Sequence, residues 1–302
     1  MSKNLNFANF FRRANFISAI FFIFSIFIIS VKGLNYGIDF KGGTLLEIQV
    51  SKSNINISDV RSSVVNLGLG DVSVKEFGDA GNYLIKIEAT TEKNINLIPD
   101  LKKTININLN DNVNFRRIEN VGPKVSSELL KSGIIAICLS LFAMLFYIWV
   151  RFEWQFSVGA IVALFHDVLI TIGIFSFLAI EINLSIIAAV LTIVGYSMND
   201  TVVIYDRIRE NLNKYNRLDI NDISNLSINE TLSRTLITSV TTLLALFSIF
   251  ILGGAILKGF SFAMILGVII GTYSSIFVAA PILRNLKVTY QTMQKDEEKI
   301  VP

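Results

Sequence analysis

The sequence predicts a membrane protein with six spanning helices and one polar α/β domain inserted between the first two of them. Of the 302 residues, 52% are hydrophobic and only 17% are charged, whereas soluble domains carry about 25% charged residues. The apolar residues form runs of about 20, the length that crosses a bilayer, and about 100 more polar residues separate the first run from the second. This composition excludes a disordered chain, a disulfide scaffold and a typical cytosolic enzyme.

The first predicted span, Ala14 to Val31, follows Arg12 and Arg13. A cleaved signal peptide would have an apolar region of about 7–15 residues that ends in small residues. This run is longer and ends Ser30-Val31-Lys32, so we expect an uncleaved anchor. The other predicted spans are Gly133 to Val150, Phe156 to Ile180, Leu184 to Tyr205, Leu236 to Leu257 and Phe260 to Leu283.

Lysine and arginine predict the orientation of the chain. They are concentrated in the segments that would share one side of the membrane with the N-terminus, and the two short loops on the other side hold only Lys258. Positive residues favour the cytoplasmic side, so we expect both termini inside and the polar insert outside. The predicted division is a cytoplasmic segment 1–13, a first span 14–31, an external α/β domain 32–131, a bundle of five spans 132–283 and a cytoplasmic tail 284–302.

The polar insert has the pattern of a small folded α/β domain. Alternating apolar residues predict strands, and helices are predicted from Ser58-Asp59 to Gly68 and from Ile95 to Leu109, with a turn from Gly78 to Asn82. The predicted strands are Thr44 to Val50, a segment that starts at Val72, Tyr83 to Ala89, and Phe115 to Val121. The resulting order, strand–helix–strand–strand–helix–strand, suggests an α/β sandwich.

Polar side chains inside apolar spans are costly, so each is a candidate for function. The third span contains His166 and Asp167, the fourth contains Asn199 and Asp200, and Arg234 lies at the predicted start of the fifth. A carboxylate that alternately meets Arg234 and a dry environment would bind and release an ion. These five residues are therefore the predicted proton-conducting residues, although the sequence suits proton and sodium coupling equally.

Three further side chains extend this set into a predicted polar track. Tyr196 precedes Asp200 by one turn, and Thr238 and Thr241 follow Arg234 on one helix face. Structural explanations stay open: Asp200 and the His166–Asp167 pair could only join helices, and Arg234 could only anchor its helix at the membrane surface.

The sixth span contains small residues at four-residue spacing. They are Ala263, Gly267, Gly271, Ser275 and Ala279. Such a ridge lets helices approach closely, and it predicts packing within the chain or against a partner.

Several motifs resemble the bacterial SecF family of protein-export subunits, over nearly the whole chain. The most specific is Gly195-Tyr196-Ser197-Met198-Asn199-Asp200-Thr201-Val202-Val203 in the fourth span. Further motifs are Tyr36-Gly37-Ile38-Asp39-Phe40-Lys41-Gly42-Gly43-Thr44, Val121-Gly122-Pro123, Arg151-Phe152-Glu153-Trp154, Ala163-Leu164-Phe165-His166-Asp167 and Ser233-Arg234-Thr235.

This resemblance implies a fold and a function. It implies one half of a transporter of the resistance–nodulation–division superfamily, with a six-helix bundle and a ferredoxin-like periplasmic domain, in the bacterial inner membrane. It implies pairing with SecD, association with the SecYEG channel and with YajC, and use of the proton-motive force to help unfolded secretory polypeptides leave the channel. Asp200 and Arg234 match the family residues implicated in proton conduction. Neither a cofactor nor nucleic acid is expected.

Glycines next to the first span are candidate hinges for motion of the outer domain. Gly42 and Gly43 follow the span closely, and a few protons crossing the membrane would bias a rigid-body swing there. Glycine is equally at home in an ordinary turn.

Two other functions compete with export. An intramembrane protease would use Asp167 with Asp200, or Ser197 with His166, but the flanking residues of this chain depart from the motifs of both protease types. A small-molecule exporter of the same superfamily would carry two such halves in one chain, so this chain would have to be a half-subunit of it.

Overall fold

A computed structural model describes residues 5–51, 55–66, 71–76, 80–88 and 97–293 of the chain. The chain divides into two compact units. The first contains Met1–Asn35, Ala136–Ile180 and Ser185–Pro302, and the second contains Tyr36–Ile135 and Glu181–Leu184. We call them the membrane unit and the polar unit.

All six predicted spans are confirmed as helices that are long and apolar enough to cross a bilayer. Their bounds as candidate spans are Ala8–Lys32, Pro123–Arg151, Trp154–Phe177, Leu184–Lys214, Ile220–Leu252 and Leu257–Asn285. The helices themselves are α1 (Phe11–Lys32, after a 3-10 turn at Ala8–Phe10), α5 (Pro123–Arg151), α6 (Trp154–Phe177), α7 (Leu184–Lys214), α8 (Ile220–Leu252), α9 (Gly254–Ser274), a π-helical turn at Ser275–Ala279, and α10 (Ala280–Asn285).

Two of the predicted span limits are wrong. The third span ends at Phe177 and not at Ile180, because the backbone reverses at Ala179, which has φ of 53°. The fifth span ends at Leu252 and not at Leu257, because its helix is capped at Gly253. The helix begins at Ile220, in a polar stretch before the apolar run, so Arg234 lies several turns inside it. An apolar run alone does not mark the end of a helix, since apolar residues continue beyond Gly253 and Gly254.

The polar unit confirms the predicted strand–helix order. It contains a short helix α2 (Ile38–Lys41), then β1 (Gly43–Gln49), α3 (Ile57–Val65), β2 (Val72–Glu76), β3 (Asn82–Glu88), α4 (Leu97–Leu109) and β4 (Asn114–Val121). The four strands form one antiparallel sheet in the order β2-β3-β1-β4. Leu46 and Ile48 of the inner strand β1 are fully buried, as are Val60 of α3 and Ile105 of α4, so both helices close the core of this unit.

Helix α3 begins one residue earlier than the predicted cap at Ser58-Asp59. The N-cap is Asn56, whose side-chain oxygen accepts from the backbone N–H of Asp59 while the Asp59 carboxylate accepts from that of Asn56. This reciprocal capping box satisfies donors that a helix start would otherwise leave free. The predicted stop at Gly68, the turn residues Gly78 and Asp79, the strand end Ala89, the helix start Ile95 and residues 294–302 of the tail lie outside the described residues.

The small residues of the sixth span pack inside the chain, against α7. A Cβ atom on Gly267 would lie 2.2 Å from Cγ1 of Ile193, and one on Gly271 would lie 3.0 Å from Cβ of Ser197. Further along, Ser275 shares a hydrogen bond with Thr201 at 2.8 Å. The contacted residues of α7, Ile193, Ser197 and Thr201, are also spaced four residues apart. The sixth span and α7 therefore stay in contact over several turns.

Candidate functional site

Asp167 lies at the junction of three helices of the membrane unit. Its side chain is fully buried. Oδ2 accepts hydrogen bonds from Ser197 of α7 at 2.5 Å and from Ser274 of α9 at 2.7 Å, and Oδ1 lies 2.9 Å from Nδ1 of His166. The packing of α9 against α7 brings both hydroxyls to the same oxygen. No lysine or arginine of the described residues pairs with the Asp167 carboxylate, so these donors are what satisfies it.

Asp200 is the second buried carboxylate and has a different environment. It is 2% exposed, and its Oδ2 accepts from Thr272 of α9 at 3.4 Å. Thr272 in turn lies 2.7 Å from the hydroxyl of Ser239 of α8. A chain of two hydroxyls therefore leads from Asp200 to the fifth span. Hydroxyl groups both donate and accept, so such a chain can pass a proton or hold water.

Arg234 faces outward from the described chain. Its side chain is exposed on α8, and no ion pair joins it to Asp200 within the described residues. Asn199 is also exposed. The structure therefore buries the two aspartates and leaves Arg234 and Asn199 on the surface that lipid or a partner would cover.

The other residues of the predicted polar track are not gathered around Asp200. Thr238 donates to Arg234 O at 3.1 Å and Thr241 donates to Ile237 O at 2.8 Å, so both hydroxyls are engaged by the backbone of their own helix. The hydroxyl of Tyr196 is buried and has no hydrogen-bond partner among the described residues. Tyr196 is thus the one member of this set with a free polar group inside the bundle.

His166 completes the first carboxylate site from the side of α1. The side chain is 4% exposed, and its ring is stacked on Tyr273 with the centroids 6.4 Å apart. Nδ1 faces Asp167, while Nε2 is buried without a hydrogen-bond partner among the described residues. Ser197 donates to Asp167 and not to His166, so these two residues do not form the serine–histidine pair that the protease alternative requires.

Four hydroxyl residues serve these carboxylates: Ser197, Ser239, Thr272 and Ser274. The sequence singled out Ser197 only for the protease alternative, and it did not single out the other three. The one signal was the ridge of small residues in the sixth span, since the same tight packing places Ser274 and Thr272 within reach of α6 and α7. In addition, Tyr205 is fully buried and donates to Ala279 O at 3.0 Å within the π-helical turn.

Ion pairs surround the N-terminal part of α8. Arg207 of α7 lies 2.6 Å from Glu230 of α8 and 2.5 Å from Glu210, and Arg151 lies 2.9 Å from Asp206. The buried amide of Asn211 also donates to Glu230 at 2.7 Å. Beyond any anchoring of their helices at the membrane surface, these arginines thus fix α7, α8 and the end of α5 to one another.

Gly42 and Gly43, the hinge candidates, lie between α2 and β1 in the polar unit. Both have positive φ, 80° and 131°. Gly42 ends α2, and Gly43 is the first residue of the central strand, paired with both Glu88 and Val121. Their conformation by itself requires glycine.

Two family models match the sequence. The model of the C-terminal part of protein export membrane proteins SecD/SecF matches residues 101–289, and the SecD/SecF GG motif matches residues 27–53, which include Gly42 and Gly43. The first match covers every residue of the two carboxylate sites.

Curated relatives are similar over most of their length. A protein translocase subunit SecF from Rickettsia bellii is 44% identical over 284 residues, which are 93% of this chain and 92% of that protein. A protein translocase subunit SecF from Vibrio alginolyticus is 45% identical over 273 residues, 90% of this chain and 86% of that protein.

Solved structures have a similar fold. SecDF from Thermus thermophilus, described as a translocon-associated membrane protein, superimposes with a TM-score of 0.84 at 33% identity over 95% of this chain. SecDF in a super-membrane-facing form gives a TM-score of 0.69 at 31% identity over 99% of this chain. This chain spans 39% and 40% of the length of those two chains.

Proposed function

Because the chain belongs to the SecD/SecF family of protein-export membrane proteins, we propose that its membrane unit couples ion movement to protein export. The chain is a multi-pass membrane protein and an auxiliary subunit of the Sec translocase. Its relatives are transport subunits and not enzymes, in keeping with a site made of buried carboxylates and hydroxyls.

A SecD subunit supplies the other half of the SecD–SecF complex. The chain corresponds to only about two-fifths of the SecDF chains that it resembles, which supports a SecD part as the remainder of the assembly. Helices α5 and α8 support this arrangement, since only 11% and 17% of their apolar windows are buried within the chain. Family membership is the basis for adding the SecYEG channel, YajC and unfolded secretory polypeptides as further partners.

The chain lies in the bacterial inner membrane with segments 1–13 and 284–302 in the cytoplasm. The distribution of lysine and arginine supports this orientation. Residues 32–131 then form the periplasmic domain. The β-α-β-β-α-β order and the sheet order β2-β3-β1-β4 support a ferredoxin-like topology for it.

The observation that carries the coupling proposal is the burial of two carboxylates for which the described residues provide no lysine or arginine partner. Asp167 is 0% and Asp200 is 2% exposed, and hydroxyls are their main donors. An ionised carboxylate in such a place is costly, so binding of a proton or a small cation there is favoured. Asp200 is the primary ion-binding residue, Asp167 with His166 is the second station, and Arg234 and Asn199 complete the path at the surface of α8 and α7.

The energy available suits this role. One charge that crosses 100 mV yields about 2.3 kcal/mol, so a few ions can bias a conformational change. Neutralising Asp200 changes the charge at its contact with Thr272 of α9, which in turn bonds to Ser239 of α8, and Gly42 and Gly43 allow the periplasmic domain to move in response.

The test is Asp200→Asn in membrane vesicles that contain the full chain and its partner, with export of a secretory precursor measured with and without an ion gradient. We expect normal insertion and loss of the gradient-dependent part of export, because Asn cannot bind and release a proton. Asp222→Asn is the control, since Asp222 is exposed in the first turn of α8. Gradient-dependent export that persists in Asp200→Asn would rule the proposal out, and selective collapse of the proton or the sodium gradient identifies the ion.

A further inference from the structure

Helix α1 borders a groove whose apolar lining has no part in the proposed coupling mechanism. The groove has a volume of about 620 Å³ and is lined by α1, α6 and α9, with Ile17, Phe21, Ile170, Ile174 and Ile269 among its side chains. Its size is within the range of about 300–1,000 Å³ found for ligand sites. His166 and Tyr273 also line it.

Two contacts of α1 set the limits of this groove. Tyr273 of α9 donates to Ala14 O at 2.9 Å and shares a hydrogen bond with Ser18 at 2.9 Å, which holds the first turns of α1. Further along, α1 touches α6, where a Cβ on Gly173 would lie 2.4 Å from Cβ of Ser25. The groove lies on the N-terminal side of that contact.

The length of the groove matches one leaflet of a bilayer. Its lining runs from Phe10, just before α1, to Phe21 in α1. That is about 16 Å at about 1.5 Å per residue, or half of a hydrocarbon core of about 30 Å. A spanning helix of a partner would run through both leaflets. An acyl chain occupies only one, so it fits a groove that stops at Ser25 and Gly173.

The open end of the groove carries two positive charges. Arg13 lines the groove itself, and Arg12 and Arg13 together line a neighbouring depression with Phe16 and Ile17. Both guanidinium groups are exposed, and neither forms an ion pair within the part of the chain that the structure describes. They lie at the start of a spanning helix, at the level of the lipid headgroups.

We propose that this groove binds one anionic phospholipid, with an acyl chain along α1 and the phosphate at Arg12 and Arg13. Basic sites between spanning helices bind phosphate-bearing headgroups, and the arginine fork matches two phosphate oxygens. The bound chain covers the His166 side of the first carboxylate site and keeps water from it.

The experiment measures lipid that stays bound to the purified full-length chain in detergent, by native mass spectrometry. The probes are phosphatidylglycerol and phosphatidylcholine with the same acyl chains. We expect the chain to retain phosphatidylglycerol preferentially, and Arg12→Gln with Arg13→Gln to lower that retention about tenfold or more. The matched control is Arg284→Gln with Lys287→Gln, which removes two exposed positive charges elsewhere and should leave retention unchanged.

A second pair of variants tests the groove rather than the charge. Ile269→Trp fills the groove from a side chain that is 50% exposed, so folding is not at risk, and it should lower retention of both lipids. Ile251→Trp, at a 71% exposed position of α8, should not. Equal retention of the two lipids, an equal loss in the Arg284/Lys287 control, an unaffected Ile269→Trp variant, or displacement of the lipid by inorganic phosphate would each overturn the proposal.

Discussion

Ser197 donates its hydroxyl to Oδ2 of Asp167 at 2.5 Å, across the interface between α7 and α6. The same oxygen accepts from Ser274 of α9. One buried carboxylate therefore ties three helices together, and any change in its charge alters the contacts of all three. This arrangement gives Asp167 a structural role beside the ion-binding role that we propose.

Replacement of Ser197 by alanine should destabilise the membrane unit. It removes one donor from a fully buried carboxylate, and leaving a buried group short of a partner costs about 1–3 kcal/mol. The measurement is thermal unfolding of the purified chain in detergent. Ser248→Ala is the control, because Ser248 donates only to the backbone of its own helix, at Leu244 O. Equal stability of the two variants would contradict the assigned role of Ser197.

Gly159 and Tyr205 should show a coupled effect on stability. A Cβ on Gly159 would lie 2.2 Å from the hydroxyl of Tyr205, which itself donates to Ala279 O. Gly159→Ala should cost about 1–3 kcal/mol through this overlap, and Tyr205→Phe about 1 kcal/mol through the lost hydrogen bond.

The double variant Gly159→Ala with Tyr205→Phe should be more stable than the sum of the two losses, since the Phe side chain vacates the space of the new methyl group. A coupling of at least about 0.5 kcal/mol in the unfolding free energy is the expected result. Gly195→Ala serves as the control, because an added Cβ there meets nothing within 4 Å. Strict additivity would show that the two side chains do not meet.

The spans and the strand order follow from local patterns, and the sequence predicts them well. An apolar run needs only its own composition to mark a helix that crosses a bilayer. The N-terminal part of α8 is different. It mixes polar residues with Ile220, Ile223 and Ile228, which are buried because other parts of the chain pack there. Its helical start is a tertiary effect, and a search for apolar runs misses it.

In the carboxylate sites too, the sequence reveals some residues and not others. Aspartates in a span are conspicuous because their burial is costly, so Asp167 and Asp200 could be selected from the sequence. Serine and threonine in a span usually bond to the preceding turn of their own helix, as Thr241 does. Only the contact of α9 with α6, where Ser274 donates to Asp167, distinguishes Ser274 from such residues. That contact depends on the register of two helices distant in sequence.

Asn229 should hold the N-terminal segment against α8. Its side-chain amide accepts from Leu5 N at 2.9 Å and donates to Leu5 O at 2.8 Å, as a paired strand would. Asn229→Ala removes both bonds, each worth about 1 kcal/mol, so hydrogen exchange at the N-terminal segment should become about fivefold faster or more. The measurement is exchange followed by mass spectrometry of the N-terminal peptide. Asn221→Ala, in the first turn of α8 and bonded to Asp219, should leave the exchange rate unchanged.

Gly42 provides the test of the hinge proposal. Its backbone has φ of 80° and ψ of 164°, a region that is essentially restricted to glycine, so Gly42→Ala should cost about 1–3 kcal/mol in the polar unit. Gly122→Ala is the control, since an added Cβ there meets nothing within 4 Å and its φ is not positive. For both variants, export is measured over a range of temperatures. The folded fraction of the polar unit is measured at the same temperatures by its resistance to protease. A hinge predicts that export is lost in Gly42→Ala even at a temperature where the polar unit stays folded, because the alanine narrows the backbone angles available to the moving segment. If export falls only in proportion to the folded fraction, Gly42 belongs to a static turn and the hinge proposal is wrong.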